Sequence, residues 1–479
     1  MNKARGQGVS QTKYMAARFV NIDYDTPLFL PPNLRDWVPT RHLAHFILEA
    51  VAEMDLRQVQ VNERGSGCPQ YPPRMLLALL LYCYATGVFS SRRIEQATHD
   101  SVPVRMLCGD THPDHDTICT FRRENKALLQ ETFVRVLELA QELKFLQVGQ
   151  LTLAVDGTKV LANASKHAAV SYEHAGKTIQ QLDLEVQELL AKAEQADSTP
   201  LEDGLTIPEE IQRRQERKAK LATARAEIEA RAQARAAAEM TEYKAKLEER
   251  AAQKDQGKKP CGPEPKEPSQ QPKPGDQYNF TDPESRIMKA GSGQHFEQSY
   301  NAQAAVEVDS RLIVGERVSQ APNDKEQLAP TVATVGPPVE SVAAVLTDSG
   351  FYSEAAVKAV EQNAAGQPTG TTVYAAVEKK EHHRTVSDLE RKDDPVAPAA
   401  GASVGEIMKH RLQTAAGKAK YKLRQQTVEP VFGIIKSVLG FRQFLLRGKE
   451  KVGLEWKLVC VAYNFKRLHR MAQSFPAAG

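Results

Sequence analysis

The chain lacks several features that would fix its class at once. Its 479 residues include six cysteines, Cys68, Cys83, Cys108, Cys119, Cys261 and Cys460, and no CxxC pair. That spacing excludes a zinc ribbon and a disulfide framework, and it predicts a reducing, cytosolic setting. The longest mostly apolar run, residues 75–89, covers 15 positions. A membrane span needs about 18 or more, so this run reads as a buried helix and no membrane partner is expected. The N-terminus, MNKARGQGVSQTKYMAAR, has no apolar h-region and does not read as a secretory signal. Net charge is also scarce: 63 Lys and Arg against 60 Asp and Glu leave +3. Taken whole, that figure points to no charged partner.

What is present is a soluble globular composition, 41% hydrophobic and 26% charged. The length suggests about two to four domains. The charge is unevenly spread. Residues 401–479 hold 15 Lys and Arg against four acids, or +11, so residues 1–400 carry −8. The small total is a cancellation, and the basic segment is an electrostatic footprint for phosphates.

Composition divides the chain. Residues 1–148 read as an all-α domain. It contains PPRMLLALLLYCYATGVF (72–89), a helix from Ser90 or Ser91 that carries Arg92 and Arg93, and a short helix capped by Asp116 or Thr117 that carries Arg122 and Arg123. An amphipathic helix over 127–143 closes it. QLTLAVDG (150–157) alternates as a strand and ends at Asp156. Residues 170–284 are dense in Ala, Glu, Lys and Arg. They read as a coiled-coil-like helical insertion followed by a proline-rich linker, either a partner-binding arm or a solvated spacer. Globular sequence then resumes. A hairpin over 299–320 turns at Asp309 and Ser310. A helix over 323–335 is capped by Asn323 or Asp324. An apolar strand over 341–350 ends in Asp348. A helix from Ser353, a strand over 371–377 and helices over 421–439 and 451–470 complete the order. An initial meander followed by alternating strand and helix predicts an α/β fold, a mixed sheet flanked by helices.

Three carboxylates stand out in that order. Asp156 and Asp348 fall at strand ends, where α/β folds bind ligands. Glu429 falls in a helix among Val428, Val431, Phe432, Ile434 and Ile435, a setting in which a buried acid must be paired or ligate something. Three carboxylates without Cys or His favour hard cations such as Mg²⁺ or Mn²⁺. Two such ions about 3.5–4 Å apart suit phosphodiester chemistry.

AVDGTKVLANAS (154–165), VLTDSGFYSE (345–354) and YKLRQQTVEPVFGIIKSVLGFRQFLLRG (421–448) resemble the three catalytic blocks of DDE transposases of bacterial insertion sequences. Tyr421, Arg424, Glu429 and Lys436 resemble the Tyr–Arg–Glu–Lys signature of the third block, with four residues between Arg424 and Glu429. The run 72–109 resembles the helical domain that precedes the core in this group. The resemblance implies an RNase H-like core over 149–169 and 285–470, interrupted by the insertion. It implies that Asp156, Asp348 and Glu429 are catalytic and coordinate two Mg²⁺ (or Mn²⁺). It implies cutting at the element's terminal inverted repeats, transfer of the 3′-OH into target double-stranded DNA, a homodimer, and a cytoplasmic, nucleoid-associated bacterial enzyme. The absence of a GxxxxGK[ST] loop agrees with chemistry that needs no ATP. A non-catalytic repressor derived from a transposase and a structure-specific nuclease are the alternatives.

The expected DNA-binding residues are Tyr421, Arg424, Lys436, Arg442, Arg447 and Lys449, with Arg92, Arg93, Arg122 and Arg123 as two Arg pairs at helix starts. Lys436 falls two turns after Glu429 on the same helix face. Arg424 falls some 140° off that face, at about 100° per residue. It is therefore expected to contact flanking DNA or the protein itself. The HPDH of 112–115 and His382-His383 are weak candidates for metal, with no acid or Cys cluster nearby.

Overall fold

A computed structural model describes residues 33–59, 70–147, 149–195, 207–255, 264–289, 295–377, 394–399 and 401–474. Cys68, Cys261, His382 and His383 lie outside the described residues.

Among the described residues, six α-helices precede the sheet: α1 (Leu43–Ala52), α2 (Pro73–Ala85), α3 (Ser91–Asp100), α4 (Val102–Leu107), α5 (His115–Glu124) and α6 (Lys126–Glu142). α2 starts with proline in its first turn, and every side chain over 76–85 is buried. A helix apolar on all sides belongs in the middle of a core. α5 is capped at least two residues earlier than the sequence suggests. Asp114, not Asp116 or Thr117, accepts the Thr117 N–H at 2.6 Å. Arg122 and Arg123 therefore lie in the last turn of α5, not at a helix start.

The sheet follows. β1 (Gln150–Leu161) pairs antiparallel with β5 (Phe296–Glu307) and parallel with β7 (Ser341–Thr347), which pairs parallel with β8 (Thr372–Ala375). The far edge of β5 takes β4 (Arg286–Lys289) along its first half and β6 (Ile313–Ser319) along its second. The β5–β6 turn is held by Glu307, whose carboxylate accepts the N–H groups of Asp309 and Ser310. This mixed sheet with helices around it is consistent with an RNase H-like core.

The segment between β1 and β4 holds a second, two-stranded sheet, β2 (Ala169–Ser171) with β3 (Gln277–Asn279), and the helices α7 (Tyr172–Gln195) and α8 (Ile207–Asp255). The two helices run antiparallel. Glu185 pairs with Arg214, Asp183 with Lys218, and Tyr172 with Arg225 and Glu229. Val170, Ala175, Leu182, Leu221 and Ala224 form a small core of their own.

After β6 come α9 (Leu328–Val332) and, after β7, α10 (Glu354–Glu361), capped by Ser353 as its sequence predicts. The chain ends in α11 (Val404–Gln413), α12 (Ala415–Gly433), a π turn over Ile434–Val438 and α13 (Lys449–Ser474). α13 packs on α2, α6 and β6 at once. One continuous core therefore runs from Val38 to Leu468, shared by the N-terminal helices and the sheet. No helix among the described residues is long and apolar enough to cross a membrane.

Candidate active site

Asp156 does not end β1. The strand continues through Gly157, Thr158, Lys159 and Val160 to Leu161, so Asp156 lies mid-strand. Ala154 pairs in parallel register with Leu346. Two residues further along each chain stand Asp156 and Asp348, so the pleat brings the two carboxylates to one face. Asp348 follows the last residue of β7, and its carboxylate accepts the Gly350 N–H at 2.8 Å. Burial, then the charge of Asp348, pushes the Asp156 carboxyl up to about 7, against the Gly157 N–H and Arg424, which favour its ionised form.

Glu429 reaches the same site from α12. Its apolar neighbours Val428, Val431, Phe432 and Ile435 are buried, but its own side chain is 54% exposed. It is not the enclosed acid that its neighbours suggest. It faces outward on a helix whose other side is buried.

Arg424 joins the acids. One guanidinium nitrogen stands 3.8 Å from Asp156 Oδ2, and the other 3.6 Å from Glu429 Oε1. The side chain is 12% exposed and lies over the Tyr421 ring at 6.0 Å. Helical arithmetic placed Arg424 away from Glu429. The long side chain spans that gap, and the guanidinium pairs with the protein's own carboxylates. Burial raises the Tyr421 hydroxyl above its ordinary value, while Arg424 opposes the rise.

The donor set at this site is all oxygen, which suits a hard divalent cation. The crowding of Asp156 against Asp348 is the kind of charge that such a cation would neutralise. Among the described residues, no three of His, Cys, Asp and Glu stand close enough to hold one metal ion. Arg424, a cation itself, sits between Asp156 and Glu429 in this arrangement.

Two stretches of the chain match known families. Residues 398–469 match the family described as Transposase DDE domain. Residues 32–124 match Transposase domain (DUF772). Both matches support a DDE transposase of an insertion sequence. No curated protein and no solved structure matches the chain.

The first transposase match spans α12 and with it Glu429, Arg424 and the basic loop that follows. That loop docks on the end of β1. Leu161 N–H donates to Arg442 O at 3.1 Å, and Phe444 N–H donates to Leu161 O at 2.8 Å. Arg442 and Arg447 are exposed and anchored through Nε, to Lys436 O and Asn163 O respectively. Lys449 is exposed at the start of α13. Lys436 is half-buried, and its ammonium donates to Lys159 O at 2.7 Å. Burial, Arg442 and Lys159 together lower its proton affinity.

The second match covers α1 to α5. Arg92 and Arg93 are exposed in the first turn of α3, and Arg123 is exposed beside Glu124. Arg122, expected at the DNA surface, is buried instead. It is 3% exposed, its guanidinium donates to the Tyr84 hydroxyl and Phe89 O, and it pairs with Glu455. A side chain so enclosed does not reach DNA. HPDH is spent on structure: His112 stacks on His99 and meets Thr98, Asp114 caps α5, and His115 pairs with Glu95.

Residue types alone did not single out Asp324, Asn301, Gln303 and Lys159. Asp324 does not cap a helix, since α9 begins four residues later. Its Oδ1 accepts the amides of Asn301 and Gln303, both at 2.6 Å. The signal available was the lysine within AVDGTK and an Asn-Asp pair after a buried strand.

Proposed function

We propose that the chain cuts double-stranded DNA at the terminal inverted repeats of its own element and joins the freed 3′-OH to target DNA. The observation that carries this reading is the placement of Asp156 and Asp348 at one level of adjacent parallel chain segments, with Glu429 linked to Asp156 through Arg424.

Asp156, Asp348 and Glu429 would hold the metal. Two Mg²⁺ ions (or Mn²⁺), when bound, supply an activated oxygen nucleophile and stabilise the leaving oxygen. Arg424 keeps the acids of two separate elements within reach of one another before DNA arrives. Tyr421 supports the guanidinium from beneath and holds it against DNA strands passing the site. Arg442, Arg447 and Lys449 follow the phosphate backbone along the loop beside β1, with Lys436 nearer the acids. Arg92, Arg93 and Arg123 are the exposed cations of the N-terminal helical domain, which supplies DNA binding away from the cut. Joining two ends calls for two copies, so the working form is a homodimer. The 170–284 insertion is a separate arm within a core that otherwise spans 149–169 and 285–470.

The test is incubation of the purified chain with a duplex carrying the inverted repeats that flank its gene, with Mg²⁺ and with EDTA. Nicking at the repeat ends in Mg²⁺ alone supports the proposal. Tight binding without cutting in either condition favours a repressor, and cutting at branched DNA regardless of the repeats favours a nuclease.

A further inference from the structure

Cations gather where the end of α13 meets the start of α1. Arg41, His42, Lys466, His469 and Arg470 line an open groove of about 470 Å³ there, and no Asp or Glu lines it. The two segments are tied together beneath the groove: His469 Nε2 and Gln473 Nε2 both donate to Arg41 O at 2.9 Å. Arg41 and Arg470 are exposed, and Lys466 is half-buried.

These charges are unspent. Among the described residues, Arg41, Lys466 and Arg470 have no carboxylate within ion-pair distance, whereas Arg135 pairs with Glu53, Glu138 and Glu142. Lys466 gives one donor to Ala85 O at 2.9 Å. Burial, then the charge of Arg470, lowers its proton affinity. Burial, then His469 and His45, does the same to His42. Glu49 lines the neighbouring hollow, with His45 and Phe46. The negative end of α13 favours a cation in the last turn, but that field fades within a turn. It accounts for Arg470, not for Lys466, two turns before Ser474, nor for Arg41 on a separate segment.

The groove lies close to the chain's other exposed cations. Lys466 holds Ala85, the last residue of α2. Two residues further on, a Cβ on Gly87 would stand 2.7 Å from Leu439 O, where the basic loop begins.

We infer that this groove is a phosphate-binding site and that Arg41, Lys466 and Arg470 are its binding residues. Three cations converging from two segments suit a multiply charged oxyanion, and guanidinium forks match its oxygens. A DNA backbone and a free phosphate ion offer the same oxygens. The first source rests on the reading of the chain as one that acts on DNA; the second does not.

The test has two arms, both on the full chain in EDTA. Calorimetric titration with inorganic phosphate at constant ionic strength reads the free ion. Duplex binding over a series of KCl concentrations reads the backbone. Arg41→Gln/Arg470→Gln removes two exposed side chains, and Lys466→Gln is an independent variant should the first not fold. Each is expected to weaken phosphate binding by about tenfold or more, and to lower the slope of log K against log salt by about 0.9 where the phosphate is that of DNA. Loss in the phosphate arm alone supports the site with the free ion as its ligand, and loss of slope supports it with DNA. Variants that match the wild type in both arms overturn this inference and leave the DNA reading standing. A wild-type chain that binds no duplex overturns the DNA reading, and the phosphate arm then decides this inference alone.

Discussion

Arg122 on α5 and Glu455 on α13 form a buried ion pair, 3.7 Å between Nη1 and Oε1, that ties the first helices to the last. Glu455 is fully buried. It also accepts the N–H groups of Leu445 and Leu446 and the Tyr84 hydroxyl. One carboxylate thereby fixes the back of the basic loop and anchors it to the N-terminal helices. Replacing one partner strands the other charge, which costs about 3–5 kcal/mol. Arg122→Met is expected to lower the denaturant midpoint accordingly while leaving the salt slope of DNA binding unchanged. A slope that fell with Arg122 would restore it to the DNA surface.

Asp156 makes stability fall as pH rises in metal-free buffer. The folded chain keeps its proton up to about pH 7, and the unfolded chain releases it near the ordinary value of 3.8. Between those values the folded state binds more protons, so each step up in pH removes stability, on the order of a few kcal/mol across the window. Asp156→Asn removes this loss. The difference in unfolding free energy between the variant and the wild type should grow in the variant's favour from pH 4 to pH 8. A difference that is flat with pH would refute the assignment.

Gly157 is required for space, not for backbone conformation. Gly157→Ala drives a methyl into Gln303 and Asp324, and overpacking of this kind costs about 1–3 kcal/mol. Thermal melts should show the loss, together with slower DNA cutting. An alanine variant as stable and active as the wild type would mean that the polar cluster yields easily.

Much of the fold was legible because its signals are local. The β5–β6 hairpin, β7 running up to the residue before Asp348, the Ser353 cap and the buried α2 follow from alternation, capping and apolar runs. The site was harder to read for a physical reason. β1 appeared to stop at Asp156 because Gly157, Thr158 and Lys159 are polar or small to serve the cluster around them, which erases the strand pattern. Asp324 looked like a helix cap because its two amide partners lie over twenty residues away. Arg122 looked like a DNA contact because a sequence does not display its partner on a helix more than 300 residues later.

Arg442 and Arg447 are anchored by Nε on main-chain carbonyls at the end of β1. Arg442→Glu or Arg447→Glu is expected to reduce the slope of log K against log salt by at least about 0.9. Anisotropy titrations with a labelled duplex measure this directly, and an unchanged slope would make these side chains ordinary surface.

The central claim is that Asp156, Asp348 and Glu429 act as one site on DNA. Its most direct test is single-turnover cutting in Mg²⁺ of a duplex carrying the flanking inverted repeats, by Asp156→Asn, Asp348→Asn and Glu429→Gln in parallel. The account predicts that each variant binds the duplex and that none cuts it. Full cutting by any one of them would contradict the account and remove that residue from the site.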